Sequence, residues 1–262
     1  MRSLSIGATG MEAQQLNVEV ISNNIANLST TGFKSSRADF QDLLYQDMRR
    51  VGSASSDTGT IVPSGLQVGL GVKPAATYRI NTQGNLTVTN NPLDLAVNGN
   101  GYFQVQLPNG TIAYSRDGSL QLNDTGQIVT ADGFQVIPNI TVPQSTTGIT
   151  VNASGQVLAT ISGQTNQQTL GQLQLANFIN PTGLEATGDN LLTETQASGA
   201  PVVGNPQAVG FGSIVQGSLE TSNVDIVSEI TNLITAQRAY EMNSRVIKAS
   251  DEMLQTASQL KS

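Results

Sequence analysis

The chain contains no cysteine, no histidine and no tryptophan. It therefore offers no thiolate nucleophile, no zinc site of the Cys/His kind, no histidine general base and no disulfide staple. Lack of thiols does not choose between an oxidising and a reducing compartment. Charged residues make up 12% and aromatics 4% of the 262 residues, so a large oily interior and a strongly charged surface are both excluded. What fills the middle is Asn, Gln, Ser, Thr and Gly, a composition suited to hydrogen-bonded strands. The formal charge of -7 comes with only one adjacent basic pair, Arg49 and Arg50, which argues against nucleic acid as a partner because phosphate neutralisation needs clustered cations. No stretch reaches the ~18 apolar residues of a membrane-spanning helix. Residues 1–15 hold one arginine and no continuous apolar run, so neither a cleaved signal peptide nor direct membrane insertion is expected.

The two ends carry what the middle lacks, a helical apolar period. Leu4, Met11, Val18 and Ile25 fall seven apart, with Ile21 and Leu28 at interleaved positions, and Ile226, Leu233, Tyr240, Ile247 and Leu254 repeat that spacing near the other end. Sustained sevens describe a coiled-coil seam. The front helix is expected from Ser3 to about Ala26, stopped by Asn27–Gly32, where the glycine takes a left-handed backbone and Phe33 anchors the corner. The rear helix is expected from about Asn223 to Leu260, capped by Ser222 or Asn223, with Asp225 and Glu229 favourable in its first turns. Ala236, Asn243, Ser250 and Ala257 are small or polar and admit close approach by other helices. Ile230, Ile234, Val246 and Met253 lie off the seam and call for partners from other copies. Head-to-tail contacts between identical chains generate helical filaments unless the rotation closes a ring, and the ends are expected to order fully only on assembly.

Between the helices, Gly52–Gly59 has no hydrophobic face and reads as a linker or a loop ordered by contacts. Leu66, Val68, Leu70 and Val72 alternate as a strand does. From Thr77 to Gln216 turn signals recur at Gln83-Gly84-Asn85, Asn98-Gly99, Asn109-Gly110, Asp117-Gly118, Thr125-Gly126, Asp132-Gly133 and Ser154-Gly155, the spacing of an all-β domain. The runs Tyr102–Leu107 and Leu170–Leu175 read as half-buried strands with one wet face. The fold class is thus α+β. Residues 1–33 and 222–262 form a coiled-coil core, 34–80 and 208–221 an extended linker, and 81–207 a β-rich outer domain.

Tests for chemistry return little. Asp117, Asp124 and Asp132 lack the spacing of a calcium loop and fit hairpin turns. Asp94, Glu185, Asp189 and Glu194 are carboxylates without a sugar-stacking tryptophan. Gly69-x-Gly71 and Gly210-x-Gly212 lack the third glycine and strand-to-helix setting of a dinucleotide site. No catalytic residue, metal ligand or cofactor is expected.

The run from Ser22 to Lys34, SNNIANLSTTGFK, resembles the amino-terminal signature of the bacterial flagellar axial (rod and hook) protein family, through Asn23, Asn24, Asn27, Thr31, Gly32, Phe33 and Lys34. Near the other end, Glu220–Asp225 and the Gln237-Arg238-Ala239-Tyr240 run extending to Ser244 resemble the carboxy-terminal helix of the same proteins. Asp42–Gln46, Leu66–Gly69 and Gln83–Leu86 are similar to the distal-rod members more than to hook or proximal-rod members. The resemblance implies a self-assembling helical tube in the periplasmic part of the flagellar basal body, with joined terminal helices lining the inner tube. It implies proximal rod and hook proteins as axial partners, P- and L-ring proteins around it, and export by the flagellar type III apparatus without a cleaved signal. The Arg49–Val72 segment resembles a rod-specific insertion that stiffens the tube. Proximal-rod or hook proteins are the nearest alternative, and a secreted glycan-active or binding β domain is the alternative from another class.

Overall fold

The computed structural model describes residues 2–49, 64–164 and 166–259. The linker expected at Gly52–Gly59 and the helix end expected at Leu260 lie outside them. The chain divides into two compact units, one built from Met1–Ile25, Ser36–Tyr78 and Ile226–Ser262, the other from Ala26–Ser35 and Arg79–Asp225.

The first unit holds both helices, α1 (Arg2–Ala26) and α2 (Ile226–Gln259). Neither sequence contains a proline, and α2 places Glu229 in its first turn, where a carboxylate favours the helix dipole. The helices run antiparallel: Gly7 faces Ile247, Gly10 faces Asn243, and the Asn24 amide reaches the Glu229 carboxylate at 3.4 Å. The residues of α1 that bury fully are Gly7, Ala13, Ile21 and Asn24, and those of α2 are Ala236 and Ser250. The seam is thus built around small residues. A Cβ on Gly7 would lie 2.8 Å from the Ile247 side chain, and one on Gly10 would lie 2.8 Å from the Asn243 amide. The close approach expected along Ala236, Asn243 and Ser250 is taken up by the chain's own front helix. In the same unit, strands β1 (Ser36–Asp42), β2 (Tyr45–Arg49), β3 (Leu66–Gly69) and β4 (Val72–Arg79) pair as β1 with β4 and β2 with β3. The extended reading of Leu66–Val72 is therefore met, with a break at Leu70–Gly71 where the Gly71 carbonyl accepts from the Leu43 N–H at 2.9 Å.

The second unit contains β5 (Leu86–Val88), β6 (Leu95–Asn98), β7 (Tyr102–Gln106), β8 (Ile112–Ser115), β9 (Gln121–Leu122), β10 (Ile128–Val129), β11 (Gln135–Ile137) and β12 (Thr146–Val151). It continues with β13 (Gln156–Ile161), β14 (Gln168–Gln172), β15 (Leu175–Asn177), β16 (Glu185–Gly188), β17 (Leu191–Thr193), β18 (Val202–Gly204), β19 (Ser213–Gln216) and β20 (Ser218–Glu220). A nine-stranded sheet runs β16-β17-β8-β7-β11-β10-β9, with β15 added on β7 and β18 on β15. A second sheet runs β12-β13-β14, and β6 pairs with β19 and β5 with β20. Leu95, Val97, Phe103, Val157, Leu175 and Ile214 anchor the main core, and Tyr102, Tyr114 and Phe178 meet edge-on in a second one.

Three expectations need correction. Tyr102, Phe103, Gln104 and Val105 are all buried, so β7 has no wet face over this stretch: Phe103 and Val105 enter two apolar clusters on one side and Tyr102 a third on the other. The Leu170–Leu175 run is not one strand: β14 ends at Gln172 and β15 starts at Leu175, in different sheets. Residues 208–221, expected as linker, carry β19 and β20, with Ile214 inside the main core. The alternation there is too short to be distinguished from extended loop by period alone.

Candidate functional site

Two places concentrate the residues singled out above. One is the helix pair of the first unit, and the other is a buried charge cluster of the second.

Along the pair, Leu4, Met11, Val18 and Ile25 are half-buried and Ile21 is buried, while Leu28 lies past the end of α1, half-buried in the turn. On α2, Leu233 and Ile247 are half-buried, whereas Ile226, Tyr240 and Leu254 remain more than two-fifths exposed. The off-seam row Ile230, Ile234, Val246 and Met253 is exposed as well, joined by Val227 and Met242. An isolated chain thus presents a long helix with apolar side chains in water on the face away from α1. Gln237 and Arg238 are exposed beside them, and Ala239 is half-buried.

The signature residues at the end of α1 act on the chain that follows. Asn24 is buried, donates to the Ser36 carbonyl and accepts from the Ser36 N–H, both at 2.8 Å. An asparagine is needed there because one short side chain must both donate and accept. The Asn27 carboxamide oxygen accepts from the Thr30 hydroxyl at 3.1 Å, and the Asn27 carbonyl from the Thr30 N–H at 3.2 Å. Asn23 lies on the exposed side of α1, and Thr31 and Phe33 are half-buried. Gly32 adopts φ +66°, the left-handed turn its sequence implied, and a Cβ there would sit 2.8 Å from the Arg116 carbonyl carbon.

The charge cluster centres on Glu220, whose carboxylate is wholly buried. Lys34 Nζ donates to its Oε1 and, at 2.8 Å, to the Thr82 carbonyl. The Gly84 N–H donates to the same Oε1 at 3.0 Å. Arg116 Nε stands 3.1 Å from Oε2 but off hydrogen-bond alignment, so that contact is ionic; Arg116 spends its other nitrogens on the Gly101 and Gly99 carbonyls at 2.6 and 2.9 Å. Burial pulls the Lys34 ammonium below its ordinary pKa, an effect opposed by Glu220 and reinforced by the Arg116 charge. Around the cluster the Gly32 N–H donates to the Glu220 carbonyl at 2.8 Å and the Thr221 N–H to the Asn85 carbonyl at 2.8 Å. Asn223 does not cap α2. Its oxygen accepts from the Ser35 N–H at 2.7 Å and its nitrogen donates to the Ile80 and Thr82 carbonyls at 2.8 and 3.1 Å. The Ser222 hydroxyl accepts from the Val224 N–H at 3.3 Å, in the chain before α2 begins at Ile226, and so holds a local turn and does not cap that helix either.

Sequence reading picked out Lys34, Gly84 and Glu220 as members of separate motifs and missed that they meet. The signal was present in the rarity of cations: unit two holds Lys34, Arg79 and Arg116 as its only basic residues, and a scarce charge that buries needs a counter-charge. The carboxylates Asp117, Asp124 and Asp132 sit at turns, with Asp117 accepting from the Ser119 N–H and hydroxyl at 3.0 and 2.8 Å. Among the described residues no group of three metal-ligating side chains is assembled, and no helix is long and apolar enough to cross a membrane.

A chain with joined terminal helices, a β-rich middle and these signatures falls in the class of flagellar axial proteins. Residues 4–34 match the family described as flagella basal body rod protein, residues 96–159 the flagellar hook protein FlgE/F/G D1 domain, and residues 215–260 the flagellar basal body rod FlgEFG protein C-terminal region. Within that class, the chain is 59% identical to the flagellar basal-body rod protein FlgG of Caulobacter vibrioides over 262 residues, covering all of both chains. It is 54% identical to FlgG of Buchnera aphidicola subsp. Acyrthosiphon pisum, over 98% of this chain and 99% of that one. It is 46% identical to FlgG of Borreliella burgdorferi, over 100% and 99% respectively. The chain belongs to the family of the flagellar basal-body rod protein FlgG.

Proposed function

We propose that the chain is a structural subunit of the distal rod of the bacterial flagellar basal body, polymerising into a rigid helical tube that transmits torque to the hook. The observation that carries this reading is the apolar face of α2 left in water in a member of the FlgG family. That face gains its cover from neighbouring copies, and identical heterologous contacts repeated along a screw axis build a tube.

In this reading the working residues are contacts. Leu4, Met11, Val18, Ile21, Ile25 and Leu28, with Ile226, Leu233, Tyr240, Ile247 and Leu254, make the helical layer of the tube, and the chain performs no catalysis. Proximal rod and hook proteins continue it axially, P- and L-ring proteins surround it, and the flagellar type III apparatus exports it. The decisive test is cryo-electron microscopy of tubes grown from the purified chain. Straight tubes with the terminal helices innermost are expected. A protein that stays monomeric at high concentration, or that forms curved tubes, would overturn the distal-rod assignment.

A further inference from the structure

The segments around Glu220 are held differently from the rest of their unit. Residues 26–35, 79–88 and 218–225 supply no side chain to any of the three apolar core clusters. Their cohesion is polar: the Gly32, Ser35, Ile80, Gly84 and Thr221 N–H groups all donate within this set, to Glu220, Asn223, Ser35, Glu220 and Asn85 respectively. Strand β5 pairs with β20 in a two-stranded sheet of its own, with the register Leu86 to Glu220 and Val88 to Ser218. The ties from these segments to the rest of the unit are polar too: Arg116 through its ion pair to Glu220, Gln83 donating to the Val97 carbonyl at 3.1 Å and accepting from the Gly99 N–H at 2.9 Å, and Arg79 donating to the Leu184 carbonyl.

We propose that these three segments form a single latch that opens and closes as one cooperative element, independently of the main β core, with Glu220 as its pin. The physics is local. Opening it takes no side chain out of the three apolar clusters, so the core does not resist, while closing it neutralises two buried cations with one carboxylate. An element with few buried apolar contacts and many polar ties belongs at the low end of the stability range within a fold. Removing its counter-ion leaves Lys34 and Arg116 buried and unmatched. The chain passes between the two units at four points, and all four fall at the ends of latch segments. This assigns Glu220, Lys34 and Asn223 a shared role that none of their motifs declares individually.

Native-state hydrogen exchange read by mass spectrometry on the full chain, at increasing sub-denaturing guanidinium, tests the proposal. Peptides covering 30–35, 80–88 and 218–223 are expected to merge into one opening event, at least about tenfold more frequent than the opening of 102–115 and 156–161. Glu220→Gln is expected to speed exchange in all three segments together, by on the order of a hundredfold, and to leave the core peptides within about twofold. Separate opening of the three segments, or their merger with the core, would overturn the proposal. Should Glu220→Gln not fold, the wild-type exchange pattern decides by itself, and Lys34→Met, which removes one buried cation and keeps the carboxylate, repeats the comparison.

Discussion

Replacing Ile234 tests whether the outer face of α2 is where copies meet. Ile234 is 46% exposed in the single chain, and burying an isoleucine fully is worth about 1.5–3 kcal/mol. Roughly half of that, ~1 kcal/mol, is therefore still to be gained when a neighbour covers it. Ile234→Ser forfeits that gain and should raise the critical concentration for polymerisation about fivefold, since ~1.4 kcal/mol is a factor of ten. Ile234→Asp adds the desolvation of an unpaired carboxylate, about 3 kcal/mol or more, and should raise it at least a hundredfold. The isolated chain loses only the half of the side chain already covered, about 1 kcal/mol, together with a propensity change of about 0.5 kcal/mol or less, and so stays folded. Critical concentration is read by sedimentation across a dilution series, with thermal circular dichroism of the monomer as the control. Unaltered polymerisation by Ile234→Asp, with a monomer that remains folded and melts only slightly below wild type, would refute the assignment of this face to assembly.

Gly84→Ala would place a Cβ 2.0 Å from the Thr221 carbonyl oxygen, and since backbone cannot yield as a side chain does, a loss of about 3 kcal/mol or more is expected in denaturant unfolding. Asn24→Ala removes a donor and an acceptor from the half-buried Ser36 amide and carbonyl, at a cost of about 1–2 kcal/mol, with faster proteolysis near residue 36 as the second readout. Tyr114 is held neutral by burial first and by the Glu194 carboxylate second, its pKa pushed up to about 12. An unfolded phenol releases its proton near pH 10, so the unfolded state loses protons first and this residue's contribution to stability falls as pH rises from about 10 to about 12. Ultraviolet titration of tyrosinate, compared with Tyr114→Phe, measures it; a variant with the same alkaline stability loss as wild type would count against this cause.

The extent of the helices was legible because the heptad run and the missing prolines state it locally, and α1 ends at Ala26 where the small polar run begins. Which residues would fill the seam was less so. The apolar sevens suggested a contact among Leu, Ile and Tyr, yet the fully buried positions are Gly7, Ala13, Ala236 and Ser250 beside Ile21 and Asn24. Periodicity records where large residues recur, whereas the closest approach between two helices is set by where they are absent. The Glu220 cluster escaped for a related reason. Lys34, Thr82, Gly84, Arg116 and Glu220 are distant along the chain, and no local pattern encodes their meeting. Asn223 shows the same limit from the other side: its position before a helix reads as a cap, and a tertiary demand from Ser35, Ile80 and Thr82 takes its side chain instead.

Charge is distributed so that the two units have different means of cohesion. In the second unit Lys34 and Arg116 are buried, and Arg79, half-buried, gives its guanidinium to the Leu184 carbonyl. The exposed charges left on that unit's described surface, Asp124, Asp132, Glu185 and Asp189 among them, are carboxylates. Two such surfaces brought together form no ion pairs, and each added copy meets repulsion that only salt relieves. The first unit is different: it carries Arg2, Arg37 and Lys73 beside Glu12 and Glu19, and on α2 Arg238, Arg245 and Lys248 stand among Glu241, Asp251 and Glu252, interleaved with the apolar row. Attraction of both kinds, apolar and ionic, is therefore concentrated on the unit that contains the helices. A subunit that polymerises through one unit while the other carries a single sign of charge gains order from the arrangement: wrong pairings through the β-rich unit are disfavoured by the same carboxylates that keep it in water.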